Sequence, residues 1–124
     1  MVKYCIKELF YNLHVDAGKN IVFCCTQSRG SSFGPGDTIP TLKRILQEAK
    51  ISDNVDLNKD TVFYVDNETV RYLAMVKKNI SIKERDKLYI ADSWERSKEE
   101  MKRLVESIST LKPHVVKNTT SLNE

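Results

Sequence analysis

Two short runs, Ile21-Val-Phe-Cys-Cys25 and Thr61-Val-Phe-Tyr-Val65, constrain this chain more than any other feature. Neither alternates apolar with polar residues. Successive side chains of a strand point to opposite faces of its sheet, so an unbroken apolar run predicts a strand covered on both faces. That is the pattern of a parallel sheet flanked by helices. Between the runs, Ile39, Leu42, Ile45, Leu46 and Ala49 recur at three- and four-residue spacing and predict a helix. Strand, helix and strand in that order make a parallel pair joined by a right-handed crossover. In such a strand Cys24 and Cys25 read as small core hydrophobes.

The first strand runs into Thr26-Gln-Ser-Arg-Gly-Ser-Ser-Phe-Gly-Pro-Gly36. Ligands of open α/β sheets bind beyond the carboxyl ends of strands, in loops of this kind. Gly30, Gly34 and Gly36 are expected to supply backbone freedom, and Pro35 to stiffen the middle. Asp37 or Thr38 can cap the helix that follows, with Pro40 in its first turn.

Around this unit the periodicity predicts three more helices. Val2, Cys5, Ile6, Leu9, Phe10 and Leu13 make an apolar stripe, closed by Gly18 in a left-handed conformation. Residues 51–60 are polar and form a surface connection. After the turn Asp66-Asn-Glu68, a helix buries Val70, Leu73, Ala74 and Val76. Residues 80–91 fit neither period. The last helix starts at Asp92 or Ser93 with Glu95 in its first turn. It buries Trp94, Ser97, Met101, Leu104, Val105, Ile108 and Leu111, pairs Glu99 with Arg103, and stops before Pro113.

The expected fold class is therefore α/β, in the order helix, strand, helix, strand, helix, helix. It spans one domain, 1–114, with a polar tail at 115–124. Two apolar parallel strands leave unpaired edges, so the chain reads as part of a larger α/β domain, or as one that takes strands from another chain. The polar connection, the mixed charges and a net charge of +3 do not form a nucleic-acid-binding stripe. Three cysteines without metal-ligand spacing, no apolar leader and no long apolar run point to a reduced, cytoplasmic protein without a membrane segment. No metal site is indicated. His14 and His114 read as solvated helix-end residues and Trp94 as a core anchor. Asp66 and Glu68 either cap the next helix or act chemically at the strand end. Arg29 either grips an anion or is a mobile loop arginine.

Three segments carry a resemblance. KNIVFCCTQSRGSSFGPGDTIPTLKRIL, TVFYVDNETVRYLA and SWERSKEEMKRLVESISTLKPH, from Lys19 onward, resemble the C-terminal half of the G domain of immunity-associated (AIG-type) GTPases, in the septin-like P-loop group. The resemblance implies a partial three-layer, P-loop-NTPase-like fold with a short parallel sheet. It makes Thr26-Gln-Ser-Arg29 the base-reading turn and Asn67 the guanine-contacting residue, so that Thr26, Gln27, Arg29 and Asn67 form the base site for GTP or GDP. The departures are as informative. No acid stands at the fourth position of Thr26–Arg29, where a typical GTPase has Asp. The chain contains no Gly-x-x-x-x-Gly-Lys-Ser/Thr and no Asp-x-x-Gly switch, so nothing would cradle the distal phosphates. The expectation is a truncated or degenerate GTPase-like domain with weak or no GTP binding, no hydrolysis alone and no catalytic residues. The alternative is an interaction module, homo- or hetero-associating through a sheet edge. A third reading is a small enzyme built on Arg29 and Asp66.

Overall fold

The computed structural model describes residues 2–13, 15–113 and 115. His14, His114 and the tail from 116 lie outside the described residues. Four α-helices and two strands are present among them: α1 (Val2–Tyr11), β1 (Phe23–Cys25), α2 (Thr38–Glu48), β2 (Val62–Tyr64), α3 (Glu68–Lys77) and α4 (Glu84–Thr110). Short 3-10 helices at Val15–Asn20, Ser28–Ser31 and Ser52–Asn54 fill the connections. The strands pair in parallel, with Phe23 opposite Val62, Cys24 opposite Phe63 and Cys25 opposite Tyr64. The mixed α/β architecture and the parallel strand-helix-strand unit are as the periodicity predicts.

One core lies on the α2 side of the sheet. Leu42, Leu46 and Val55 are buried, and Ile6, Phe10, Phe23, Ile51 and Leu57 pack against them. The predicted stripes supply Ile6, Phe10, Leu42 and Leu46, while Cys5 and Leu9 of the α1 stripe are exposed. Ile51, Val55 and Leu57 come from the segment 51–60, which is therefore not a mere surface connection. Both α2 and α3 end in the same device. Lys50 and Asn79 adopt left-handed φ values of 59° and 55°. The next amide then reaches back, Ile51 N to Leu46 O (3.1 Å) and Ile80 N to Met75 O (3.0 Å). These are the reversed turns that satisfy the last helical carbonyls.

Several expectations need correction. β1 is not covered on both faces: Phe23 and Cys25 are half-buried and Cys24 is exposed. Gly18 does not take a positive φ. It is required because a Cβ there would stand 2.3 Å from the Asn54 carbonyl oxygen. In the loop after β1, Gly36 has a positive φ (45°), as do the non-glycines Gln27, Ser32 and Phe33. Asp37 holds the position before α2 but makes no side-chain cap bond.

The larger corrections concern the last two helices. On α3, Val70, Leu73, Ala74 and Val76 are exposed, and Thr69, Tyr72 and Met75 turn inward instead. α4 begins at Glu84, eight residues before the predicted cap, with Lys83 at its N-cap. Its buried residues are Ile90, Ser93 and Ser97, while Trp94, Met101, Val105 and Ile108 are exposed. Trp94 is therefore no core anchor. Arg103 pairs with Glu100, not Glu99.

The reason lies at the outer edge of β2. In a parallel ladder alternate residues bond to each neighbouring strand. Phe23 N bonds Thr61 O (2.7 Å) and Val65 N bonds Cys25 O (2.9 Å), so Val62, Tyr64 and Asp66 aim their amide groups away from β1. α4 lies along that edge, and its polar side chains take the place of a third strand. Asp66 N donates to Ser97 Oγ (2.9 Å) and Tyr64 N to Glu100 Oε2 (3.0 Å). Arg103 Nη2 donates to Val62 O (3.1 Å), its Nη1 to Lys59 O, and Ser107 Oγ to Asp60 O (3.0 Å). An apolar helix face could not satisfy these groups, and each left unpaired would cost ~1–3 kcal/mol. The inward face of α4 is polar for that reason. Arg103 also covers the ring of Phe63, which is fully buried, at 4.5 Å from its centroid.

Candidate functional site

Because the strands are parallel, the turns after β1 and β2 emerge side by side. Ser28, 3% exposed, joins them. Its amide donates to Val65 O (3.2 Å) and its hydroxyl to Cys25 O (2.7 Å). Ser31 Oγ bonds Ser28 O and Gly34 O, both at 3.1 Å, and fixes the next part of the loop. Arg96 of α4 lies 5.7 Å from the ring centroid of Phe33 and holds the loop from the other side.

Two acids from the second turn face this loop. Asp66 is nearly enclosed: its carboxylate is 7% exposed and accepts from Ser93 Oγ at 2.8 Å. Arg29 lies over both acids, with Nε 3.9 Å from Asp66 Oδ2 and Nη2 3.5 Å from Glu68 Oε2. Arg71 holds the other oxygen of Glu68 at 3.1 Å. Asp66 and Glu68 are thus ion-pair partners, and neither caps α3. Arg29 is tethered by acids and is not a free anion grip. Arg29 and Asp66 do meet, as a small enzyme built on them would need, but they neutralise each other. The hydroxyl that Asp66 does hold, Ser93 Oγ, belongs to a residue only 2% exposed, so the pair is closed off from a substrate.

Thr26, Gln27 and Asn67 are exposed at the same end of the sheet, and among the described residues none makes a side-chain hydrogen bond. A hydroxyl and two amides are thereby left open to solvent at this end of the sheet. Beside them, between the Arg29 loop, α3 and α4, lies an open cleft of about 490 Å³. Arg29, Glu68, Arg71, Asp86, Tyr89 and Ile90 are among its lining residues; Thr26, Gln27 and Asn67 are not. The structure therefore brings the four sequence-predicted residues to one edge without joining them in one pocket.

The electrostatics are mild. Burial, with Cys24 beside it, pushes the Cys25 thiol up, which argues against a thiolate nucleophile. Burial likewise raises Tyr64, helped by Cys25 and Glu100. Burial alone would raise Glu100, but hydrogen bonds from Arg103 and the Tyr64 amide, with the charges of Arg103 and Lys59, hold its carboxyl below the usual range. Among the described residues no cluster of His, Cys, Asp or Glu could hold a metal ion, and no helix is long and apolar enough to cross a membrane.

Sequence reasoning places Ser97 on the buried face, as found, but misses the edge-closing bonds of Ser97, Glu100, Arg103 and Ser107 and the bond from Ser93 to Asp66. A signal was present: small or hydrogen-bonding residues recur at three- and four-residue spacing beside the apolar stripe. Comparison with known proteins finds no family model, no curated protein and no solved structure that matches this chain.

Proposed function

We propose that this chain forms the base-side part of a degenerate GTPase-like domain of P-loop-NTPase-like architecture, working in the cytoplasm. It contacts a nucleotide base weakly, through Thr26, Gln27 and Asn67, and does not hydrolyse GTP alone. The observation that carries this reading is the placement of two polar turns side by side at the carboxyl ends of parallel strands, joined by Ser28. Ligands bind at such strand ends in open α/β sheets. The sequence resemblance adds the base as the ligand, and the missing Gly-x-x-x-x-Gly-Lys-Ser/Thr removes the phosphate grip. Arg29 enters only as the tethered wall of the site, since Asp66 and Glu68 already take its charge.

Titration with fluorescent GTP and GDP, with and without magnesium, tests the proposal. Weak, magnesium-independent binding is expected, lost in the Thr26→Ala/Asn67→Ala double variant. Magnesium-dependent micromolar binding, or turnover by the chain alone, would overturn it.

A second reading, an interaction module that adds a strand at its sheet edge, is favoured by one observation. Cys24 sits at the centre of β1 with its amide and carbonyl directed away from β2.

A further inference from the structure

The sheet has two outer edges, and the chain treats them differently. The edge of β2 is closed by Ser97, Glu100, Arg103 and Ser107 of α4, which bond the outward groups from Asp60 to Asp66. The edge of β1 has no such cover among the described residues. Phe23 and Cys25 spend their ladder bonds on β2. The alternate residue, Cys24, then aims both its N–H and its C=O outward. Natural proteins guard open edges with charges, prolines or bulges. From Ile21 to Ser28 there is no charged residue, no proline and no glycine.

We infer that the outer edge of β1 pairs antiparallel with β1 of a second copy of this chain, about a two-fold axis at Cys24. The inference rests on the edge-pairing reading given above and names its partner. Three features favour a second copy over an unrelated strand. A sheet with one open edge closes on pairing with itself, and a two-fold contact is complete in a dimer. Cys24 carries an outward donor and an outward acceptor, so the two copies exchange N–H···O bonds reciprocally. The strand is uncharged, so no like charges meet across the axis. Pairing converts a two-stranded sheet, marginal by itself, into a four-stranded one. Cys24 is exposed and would face its counterpart. Directly bonded antiparallel residues have Cα atoms about 5.5 Å apart, within the roughly 4.4–6.8 Å that a disulfide spans.

Sedimentation velocity on the full chain under reducing conditions gives the first readout, and the expected mass is twice 14.3 kDa. The second readout uses a Cys5→Ser/Cys25→Ser background, in which Cys24 is the sole thiol, treated with copper phenanthroline. A Cys24–Cys24 disulfide is expected, mapped by mass spectrometry. Cys24→Lys sets like charges face to face and is expected to weaken the dimer at least tenfold. Cys24→Ser keeps the dimer and loses the cross-link. A thermal melt of each variant confirms that it folds. A dimer that survives Cys24→Lys, or that does not cross-link at Cys24, overturns the inference, because the copies then meet elsewhere. A monomer that binds a synthetic valine-threonine hexapeptide, with binding abolished by Cys24→Lys, overturns self-pairing and leaves the edge reading standing. A monomer that binds no such peptide overturns both.

Discussion

Removing the Glu100 carboxylate tests the idea that α4 acts as a substitute strand. Glu100→Ala strands the Tyr64 amide, which donates to Oε2 at 3.0 Å at a half-buried strand position. A hydrogen bond to a charged group contributes ~1.5–3 kcal/mol. With the carboxylate 23% exposed, the lower half of that range applies. Arg103 loses the partner at 2.7 Å but keeps the carbonyls of Val62 and Lys59. A partly exposed ion pair therefore adds only ~0–1 kcal/mol. The expected cost is about 2–3 kcal/mol, a fall in Tm of roughly 6–12 °C for a domain of this size. Urea or thermal denaturation followed by circular dichroism measures it. The control is Glu99→Ala, one residue along and exposed, expected within about 0.5 kcal/mol of wild type. Equal effects at 99 and 100 would refute the edge-closing role. The pH dependence gives a second check. Glu100 is held below its ordinary value in the folded protein. Its contribution is complete above the unfolded carboxylate value of about 4.3 and is lost as the pH falls through the lower folded value. The gap between wild type and Glu100→Ala should stay constant near neutrality and narrow only in acid.

Two backbone predictions follow from positions where the chain is crowded or strained. Gly18→Ala drives a Cβ to within 2.3 Å of the Asn54 carbonyl oxygen, and a cost of about 1–3 kcal/mol is expected in the same melt. A neutral result would mean the two connections are not in contact. Lys50→Gly relieves a left-handed residue at the end of α2 and should stabilise by up to ~1 kcal/mol. Destabilisation would show that α2 does not end there.

The architecture was legible because burial on one side followed simple periods. The stripes of α1 and α2 and the paired strands are what the spacing of Ile6, Phe10, Leu42, Leu46 and Phe63 demands. α4 was misread because the usual assumption, that a helix buries its apolar face, fails where the neighbour is a strand edge. Ser97, Glu100 and Arg103 turn inward to meet backbone groups, and Trp94, Met101 and Val105 are left outside. Ser93 looked like a cap because serine favours helix starts; it instead bonds the buried Asp66. At the candidate site, the strand-end position of Thr26, Gln27 and Asn67 was readable from the order of elements. The neutralisation of Arg29 was not. Asp66 and Glu68 are distant in sequence and meet it only through the strand register.

If β1 pairs with a second copy as inferred above, the helix along β2 also sets how many connections one molecule makes. A unit with a single open edge is monofunctional, like a monomer with one reactive group, and assembly ends when two have met. Detaching α4 would expose the outward groups of Val62, Tyr64 and Asp66 and make the same unit bifunctional. Each copy could then join two others, and the sheet could propagate without a terminus. On the inferred pairing, four polar side chains on one helix stand between a closed assembly and an open-ended one.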